Sequence, residues 1–269
     1  MSAVGAKPNS IKKILLRLYT FPILSKEQVN VHQKEVRDVE WDAIKPYIRK
    51  GTFIDIGYGA GYSMQKANSE FGCEVYGIDP AARPLDWGIK DYSFEVGGKY
   101  VKQAFSENIP FDSRQFDTVY SSHVLEHVND ELKTLKEMER IMKDDGVLII
   151  GMPTATMAAI NWITAIVFTT HIRFISFFLS PFISSTKVSF RELFIPGSHS
   201  HHTGKTLLYD LCYYRISNWQ RILEQVFKVE KVILPALYPY PDYRQWFKMR
   251  HSRSYSSSVF FICRKKTYR

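Results

Sequence analysis

The chain has 269 residues, 45% of them hydrophobic, and carries 36 Lys and Arg against 27 Asp and Glu, a formal charge of +9. That length and apolar content suffice for one domain with an ample core plus decoration. Three scattered cysteines, Cys73, Cys212 and Cys263, exclude a thiolate metal site by their spacing and read as core or surface thiols of a reducing compartment.

No internal repeat or low-complexity run appears, and the order of elements fits an alternating β/α sheet. At the N-terminus Lys12, Lys13 and Arg17 interleave with Ile11, Ile14, Leu15, Leu16 and Leu18, and no small-residue cleavage site follows a long apolar run. The pattern predicts a short basic amphipathic helix, not a secretory signal. A buried strand over Thr52–Ile56 then runs into Gly57-Tyr58-Gly59-Ala60-Gly61 and a helix over Tyr62–Glu70. Glycine at every second position admits positive φ and leaves peptide N–H groups bare at a helix start, where a polar ligand can meet them. Asp55, just before the turn, adds a negative charge that argues against phosphate and for an ammonium or sulfonium group. By itself the G-x-G pattern is weak, and a tight turn without a ligand is the alternative. The strand Cys73–Ile78 ends in Asp79, roughly 20 residues beyond the turn, where a dinucleotide fold places its ribose-binding carboxylate. A dinucleotide fingerprint would want glycine where this chain has Tyr62, which disfavours NAD and FAD. The alternative for Asp79 is a helix N-cap. Further strands are predicted near Tyr100–Ala104, Phe116–Ser121, Val147–Gly151, Val229–Leu234 and Ser258–Cys263, the last two as an antiparallel edge. Helices are predicted at Pro84–Asp91, Asp130–Met142 and Asn218–Phe227, with Lys143-Asp144-Asp145-Gly146 as a helix stop before the fifth strand.

Four motifs in order give the chain its resemblance. They are Asp55-Ile-Gly57-Tyr-Gly59-Ala-Gly61, then Ile78-Asp79, then Glu107-Asn-Ile-Pro110-Phe111-Asp-Ser-Arg-Gln-Phe116-Asp117-Thr-Val, and finally Ser121-Ser-His123-Val-Leu-Glu126-His127-Val128. Over about residues 50 to 153 the chain resembles the class I S-adenosylmethionine-dependent methyltransferases, within them the small-molecule group related to quinone-biosynthesis enzymes. The C-terminal third is only loosely similar. The residue pattern divides the chain into four segments: a basic amphipathic helical segment (1–40), the cofactor-binding core (41–153), an apolar helical insertion or lid after strand 5 (154–205), the part least like the family, and the completion of the sheet (206–269). The resemblance implies an α/β, Rossmann-like seven-stranded sheet with helices on both faces. It implies S-adenosyl-L-methionine as cofactor, without a metal. Gly57, Gly59 and Gly61 would pass under its methionine part, Asp55 would hold its amino group through backbone or water, and Asp79 would take the ribose hydroxyls. Tyr58, Pro80, Ser106, Glu107, Ser121 and Ser122 complete the implied cofactor set. One departure stands out: the residue two before Glu107 is usually an acid that receives the adenine amino group, and here it is Phe105. Glu107 with the Ser106 backbone reading adenine instead, weakened affinity, and no bound cofactor are the open alternatives.

The resemblance also implies in-line methyl transfer to a small or lipid-attached acceptor, at a hydroxyl, in the cytoplasm or at the inner face of a membrane. A nucleic-acid (RNA) methyltransferase and a non-catalytic relative are the other readings. Nucleic acid is disfavoured because Ser121-Ser122-His123-Val124 stands where base-amine methyltransferases resemble one another in an Asn/Asp-Pro-Pro-aromatic motif, and no Pro-Cys nucleophile is present. The basic residues lie mostly at the chain ends, with Arg244, Lys248, Arg250, Arg253, Arg264, Lys265, Lys266 and Arg269 at the C-terminus, and fit a solvated surface or an anionic partner equally. His123, at the cleft end of a parallel strand, is the candidate general base, with a helix-start role as the alternative. Glu126 and His127 read as packed against the sheet or capping a helix. His199, His201 and His202 have no carboxylate or cysteine at ligand spacing and read as a loop over the cleft. Finally, no acid lies between Asp145 and Glu192, and residues 155–170 and 174–182 are rich in aromatic and branched side chains. Neither run reaches the roughly 20 residues that span a bilayer. Peripheral membrane contact through 154–186, or a lid or homodimer interface there, is expected.

Overall fold

The computed structural model describes residues 26–80, 100–163, 207–238 and 254–266. The basic N-terminal helix, the Pro84–Asp91 helix, the histidine loop, residues 164–205 of the insertion and the basic residues 244–253 lie outside them. The described part opens on α1 (Lys26–Ile44). There follow β1 (Thr52–Ile56), α2 (Tyr62–Phe71), β2 (Glu74–Asp79), β3 (Val101–Gln103), β4 (Phe116–Ser122), α3 (Glu131–Ile141) and β5 (Met142–Pro153). A helical stretch over 155–163 leads out of the fifth strand. The chain closes with α4 (Leu207–Tyr213), α5 (Ile216–Leu223), β6 (Phe227–Ile233) and β7 (Ser258–Lys265).

The seven strands form one sheet in the order β3-β2-β1-β4-β5-β7-β6. The pairs from β3 to β5 are parallel, whereas β7 runs antiparallel to both β5 and β6. Successive side chains of a strand point to opposite faces, so both faces need helical cover. Phe53 and Phe260 face a core with Trp41 and Ile44 of α1 and Met64 and Ala67 of α2. Their neighbours Ile54 and Phe261 face the other core, with Leu135 and Met138 of α3 and Trp219 and Leu223 of α5. Trp219 is fully buried and its indole N–H donates to the Pro153 carbonyl at 2.9 Å, so the largest core side chain leaves no polar atom unmatched. Strand order reverses between β1 and β4, and the crevice outside their carboxyl ends is where open α/β sheets bind ligands.

Two boundaries differ from expectation. The helix stops at Ile141 as the Lys143–Gly146 signal predicts, but Lys143-Asp144-Asp145 already lie inside β5, which starts at Met142 instead of near Val147. The pairing slips between Phe116↔Met142 and Thr118↔Val147, and the displaced acids are held by Arg49 on Asp145 at 2.9 Å and Lys265 on Asp144 at 3.2 Å. The helix expected to reach Phe227 stops at Leu223, because Phe227 pairs with Lys265 at the end of a longer β7.

Candidate functional site

Three strand ends build the site. Ile56 ends β1, and Gly57 turns with φ 79 so that its N–H crosses to the Ile78 carbonyl at 2.8 Å. A Cβ on Gly57 would stand 2.4 Å from the Val124 side chain, so the loop leaving β4 demands glycine there. Gly59 differs: with φ 52, a Cβ would meet no atom within 4 Å. Its backbone conformation and its open side together describe a cradle that a side chain would fill. Gly61, at φ 81, is the N-cap of α2 and brings no side chain to its first-turn N–H groups.

The acids surround this turn. Asp79, 6% exposed at the end of β2, accepts the Gly59 N–H at 3.1 Å. Asp55 is buried at 2% exposure and accepts from the Ser63 hydroxyl. Burial pushes its carboxyl up, Ser63 and Arg37 pull it down, and the balance leaves it at about 7. Tyr58 lies against Gly77 with its hydroxyl buried and without a hydrogen-bond partner among the described residues. Burial, then the nearby Asp79, raises its pKa. Ser121 is fully buried and donates to the Ile56 carbonyl at 3.1 Å, fixing the spacing of β1 and β4 at the crevice. Pro80 is exposed, and its carbonyl accepts from Gln103 at 3.0 Å.

The loop after β3 uses its polar side chains on the protein. Ser106 shares its hydroxyl between Thr134 at 3.2 Å and Glu107 at 3.3 Å, and the other Glu107 oxygen accepts the Asn129 N–H at 3.1 Å. Phe105 is 66% exposed.

At the exit of β4, His123 takes φ 56 and donates its N–H to Gly151 at 2.9 Å. Its Nδ1 lies 3.4 Å from Glu126 and its Nε2 3.9 Å from Glu40 of α1. Glu40 is 2% exposed, is paired with Arg37 at 2.8 Å and accepts from the Tyr238 hydroxyl at 3.1 Å. Arg37 also donates to the Ser122 hydroxyl at 3.2 Å. Burial alone would lower the imidazole pKa, but Glu126 and Glu40 outweigh it and raise it to about 9. Burial would raise Glu40, yet Arg37 and His123 hold it at about 2. His123 therefore carries its proton at neutral pH, and both ring nitrogens face carboxylates. Glu126 is buried, and its second oxygen has no partner among the described residues, while His127 is exposed, contrary to the expectation that it packs or caps. The cap of α3 is Asp130, which accepts from the Lys133 N–H at 2.9 Å.

Arg37, Glu40 and Tyr238 were not legible as site residues. The only trace is an i, i+3 ion pair set among Val36, Trp41 and Ile44, a helix face that should otherwise be apolar. Among the described residues, no group of three His, Cys, Asp or Glu could hold a metal ion.

Residues 54–150 match the protein family described as a methyltransferase domain. The chain is 32% identical over 100 residues to an uncharacterized methyltransferase of Mycobacterium sp. (strain KMS), covering 37% of this chain and 38% of that protein. It is 28% identical over 120 residues to a tRNA U34 carboxymethyltransferase of Nautilia profundicola, covering 42% and 38%. The chain thus spans less than two fifths of the length of these curated relatives. A crystal structure of a putative S-adenosylmethionine-dependent methyltransferase from Listeria monocytogenes is similar, with a TM-score of 0.52 and 16% identity over 86% of this chain and 98% of that one. The fold is the class I methyltransferase fold, and with the matched domain it implies S-adenosylmethionine as cofactor. Gly59's open side, the N-cap glycine and the two flanking acids fit a cationic nucleoside ligand.

Proposed function

We propose that this chain, built on a class I methyltransferase domain, transfers a methyl group from S-adenosylmethionine to a small or lipid-attached acceptor. The observation that carries the reading is Gly59, held at φ 52 with an open side between Asp79 and the start of α2. Gly57, Tyr58, Gly59 and Gly61 line the cofactor path, Asp55 and Asp79 face its positive and hydroxyl groups, and Ser121 and Ser122 hold the β4 side. When bound, the cofactor supplies a methyl group already activated as a sulfonium. The protein's work is then alignment and exclusion of water, able to contribute on the order of 7–11 kcal/mol. His123 keeps its proton at neutral pH with its two ring nitrogens turned to Glu126 and Glu40, so it stands beside the crevice as a fixed cation. An acidic phenol or enol needs nothing more, and a less acidic hydroxyl would use His123 as base only in alkaline solution.

Calorimetric titration with S-adenosylmethionine and S-adenosylhomocysteine tests the cofactor assignment. Gly59→Val should abolish binding while the fold survives, and Asp79→Ala should weaken it by about 1–3 kcal/mol. Unchanged affinity in both variants sinks the assignment. A product heavier by one methylene in treated cell extracts would identify the acceptor.

A small acceptor is favoured over RNA because the described basic residues of the C-terminus are engaged within the fold. Arg264 donates to the Asp145 and Gly146 carbonyls at 2.9 and 2.8 Å, and Lys265 pairs with Asp144. The Nautilia relative acts, by its name, on tRNA, so tight, salt-sensitive RNA retention in filter binding would reverse this preference. Delivery of a lipid-attached acceptor would use the segment 154–186, whose described part ends at Ile163, 53% exposed. No helix of the described residues is long and apolar enough to cross a membrane. Co-sedimentation with anionic liposomes, lost on removing residues 154–186, is the expected result; a supernatant protein that elutes as a compact dimer makes the segment a subunit interface.

A further inference from the structure

Phe105 is 66% exposed, yet it is not a stray apolar side chain on a mobile surface. Asp79 pairs in register with Gln103, which places Phe105 two residues beyond the β3 residue paired with Asp79. The Ala104 N–H donates to the Asp79 carbonyl at 3.1 Å, and the Phe105 carbonyl accepts the Asn108 N–H at 3.1 Å. Its neighbour Ser106 is 7% exposed and bound to Thr134 of α3. The phenyl ring is therefore projected from a turn anchored on both sides. The polar side chains that could read a ligand from this turn are already engaged: both Glu107 oxygens and the Ser106 hydroxyl bond within the protein. What the turn offers outward is one aromatic side chain near the end of β2, where the cofactor reading puts the ribose acid Asp79.

We propose that Phe105 is the base platform of the nucleoside site, stacking on the purine and reading it by its π-face, so that the exocyclic amine of adenine is not used for recognition. The inference rests on the cofactor reading above. Stacking on an aromatic side chain is tolerant of base identity because every base has a π-face, whereas a site built to accept a hydrogen bond from an amine rejects the analogue that lacks it.

The test is equilibrium titration of S-adenosylhomocysteine and of its inosine counterpart, S-inosylhomocysteine, in which a carbonyl oxygen replaces the amine. The wild-type chain should bind the two within about threefold of each other. Phe105→Ala should weaken both by about ten- to a hundredfold and by the same factor, Phe105→Trp should hold or tighten both, and Phe105→Asp should create a preference for the adenine form. Because the side chain is exposed, thermal melts of these variants should match the wild type, which separates lost stacking from lost fold. Discrimination of thirtyfold or more by the wild type, or an alanine variant that binds like it, overturns the proposal while leaving the cofactor assignment intact. A wild-type chain that binds neither nucleoside overturns both.

Discussion

Asp55→Asn is the substitution that most directly examines the electrostatics of the glycine turn. The carboxyl is 2% exposed and its pKa is raised from 3.8 to about 7, first by burial and against the opposing pull of Ser63 and Arg37. A carboxyl whose folded pKa exceeds its unfolded one binds its proton more tightly when folded. Its contribution to stability is therefore fully present below pH 3.8 and is lost as pH rises through about 7. At 1.36 kcal/mol per pKa unit, the whole rise corresponds to about 4 kcal/mol, of which about 2–3 kcal/mol falls between pH 5 and 8. Asparagine keeps an oxygen to accept from Ser63 and has no proton to lose. Urea unfolding followed by tryptophan fluorescence, without cofactor, should show the stability difference between wild type and variant shifting by about 2–3 kcal/mol towards the variant over that pH range. The raised His123 is present in both proteins and cancels in the difference. Two stability curves that stay parallel from pH 5 to 8 would mean that Asp55 is ionised throughout, and the reasoning fails.

The same geometry makes further claims. Glu40→Gln removes one of the two carboxylates that raise His123, so the imidazole should titrate below about 9, and an NMR titration of the ring that finds it unmoved contradicts the coupling between α1 and β4. In the wild type, His123 contributes stability that is present below its unfolded pKa of 6.5 and lost as pH rises through about 9; His123→Asn should flatten that part of the denaturation profile. Gly57→Ala and Gly59→Ala should separate in kind. The first meets Val124 and should lower stability by about 1–3 kcal/mol or more through strain and overpacking, whereas the second, with open space around it, should cost about 1 kcal/mol from its φ but impair nucleoside binding. Equal effects on melting temperature and equal effects on affinity would deny the distinction. Trp219→Ala empties a fully buried site between the sheet and α5 and should cost about 3–5 kcal/mol in chemical denaturation.

The sequence by itself determined the sheet and the turn. Strand β1 occupies the span its apolar run predicts, and β2 differs from expectation by a single residue at each end, because strands buried on both faces are written as near-continuous apolar runs that need no partner to be recognised. The alternate glycines announced positive φ through a local rule, and the structure finds it at all three. What local rules could not supply was anything decided by distant chain meeting distant chain. The Asp144-Asp145 stretch reads as a helix stop ahead of the fifth strand, whereas in the fold it lies inside β5, with Arg49 and Lys265, far away in sequence, paired to its acids. The glycine pattern could not say that Gly57 is required by Val124 whereas Gly59 opens onto empty space, since both are the same residue in the same motif. Nor could His123 reveal that it is held between Glu126 and Glu40, because Glu40 arrives on a helix 83 residues earlier and is itself fixed by Tyr238 from the other end of the chain. A side chain's identity is local, but its burial and its charged neighbours are properties of packing, and it is these that set whether a histidine is a base or a cation and whether an aspartate is ionised.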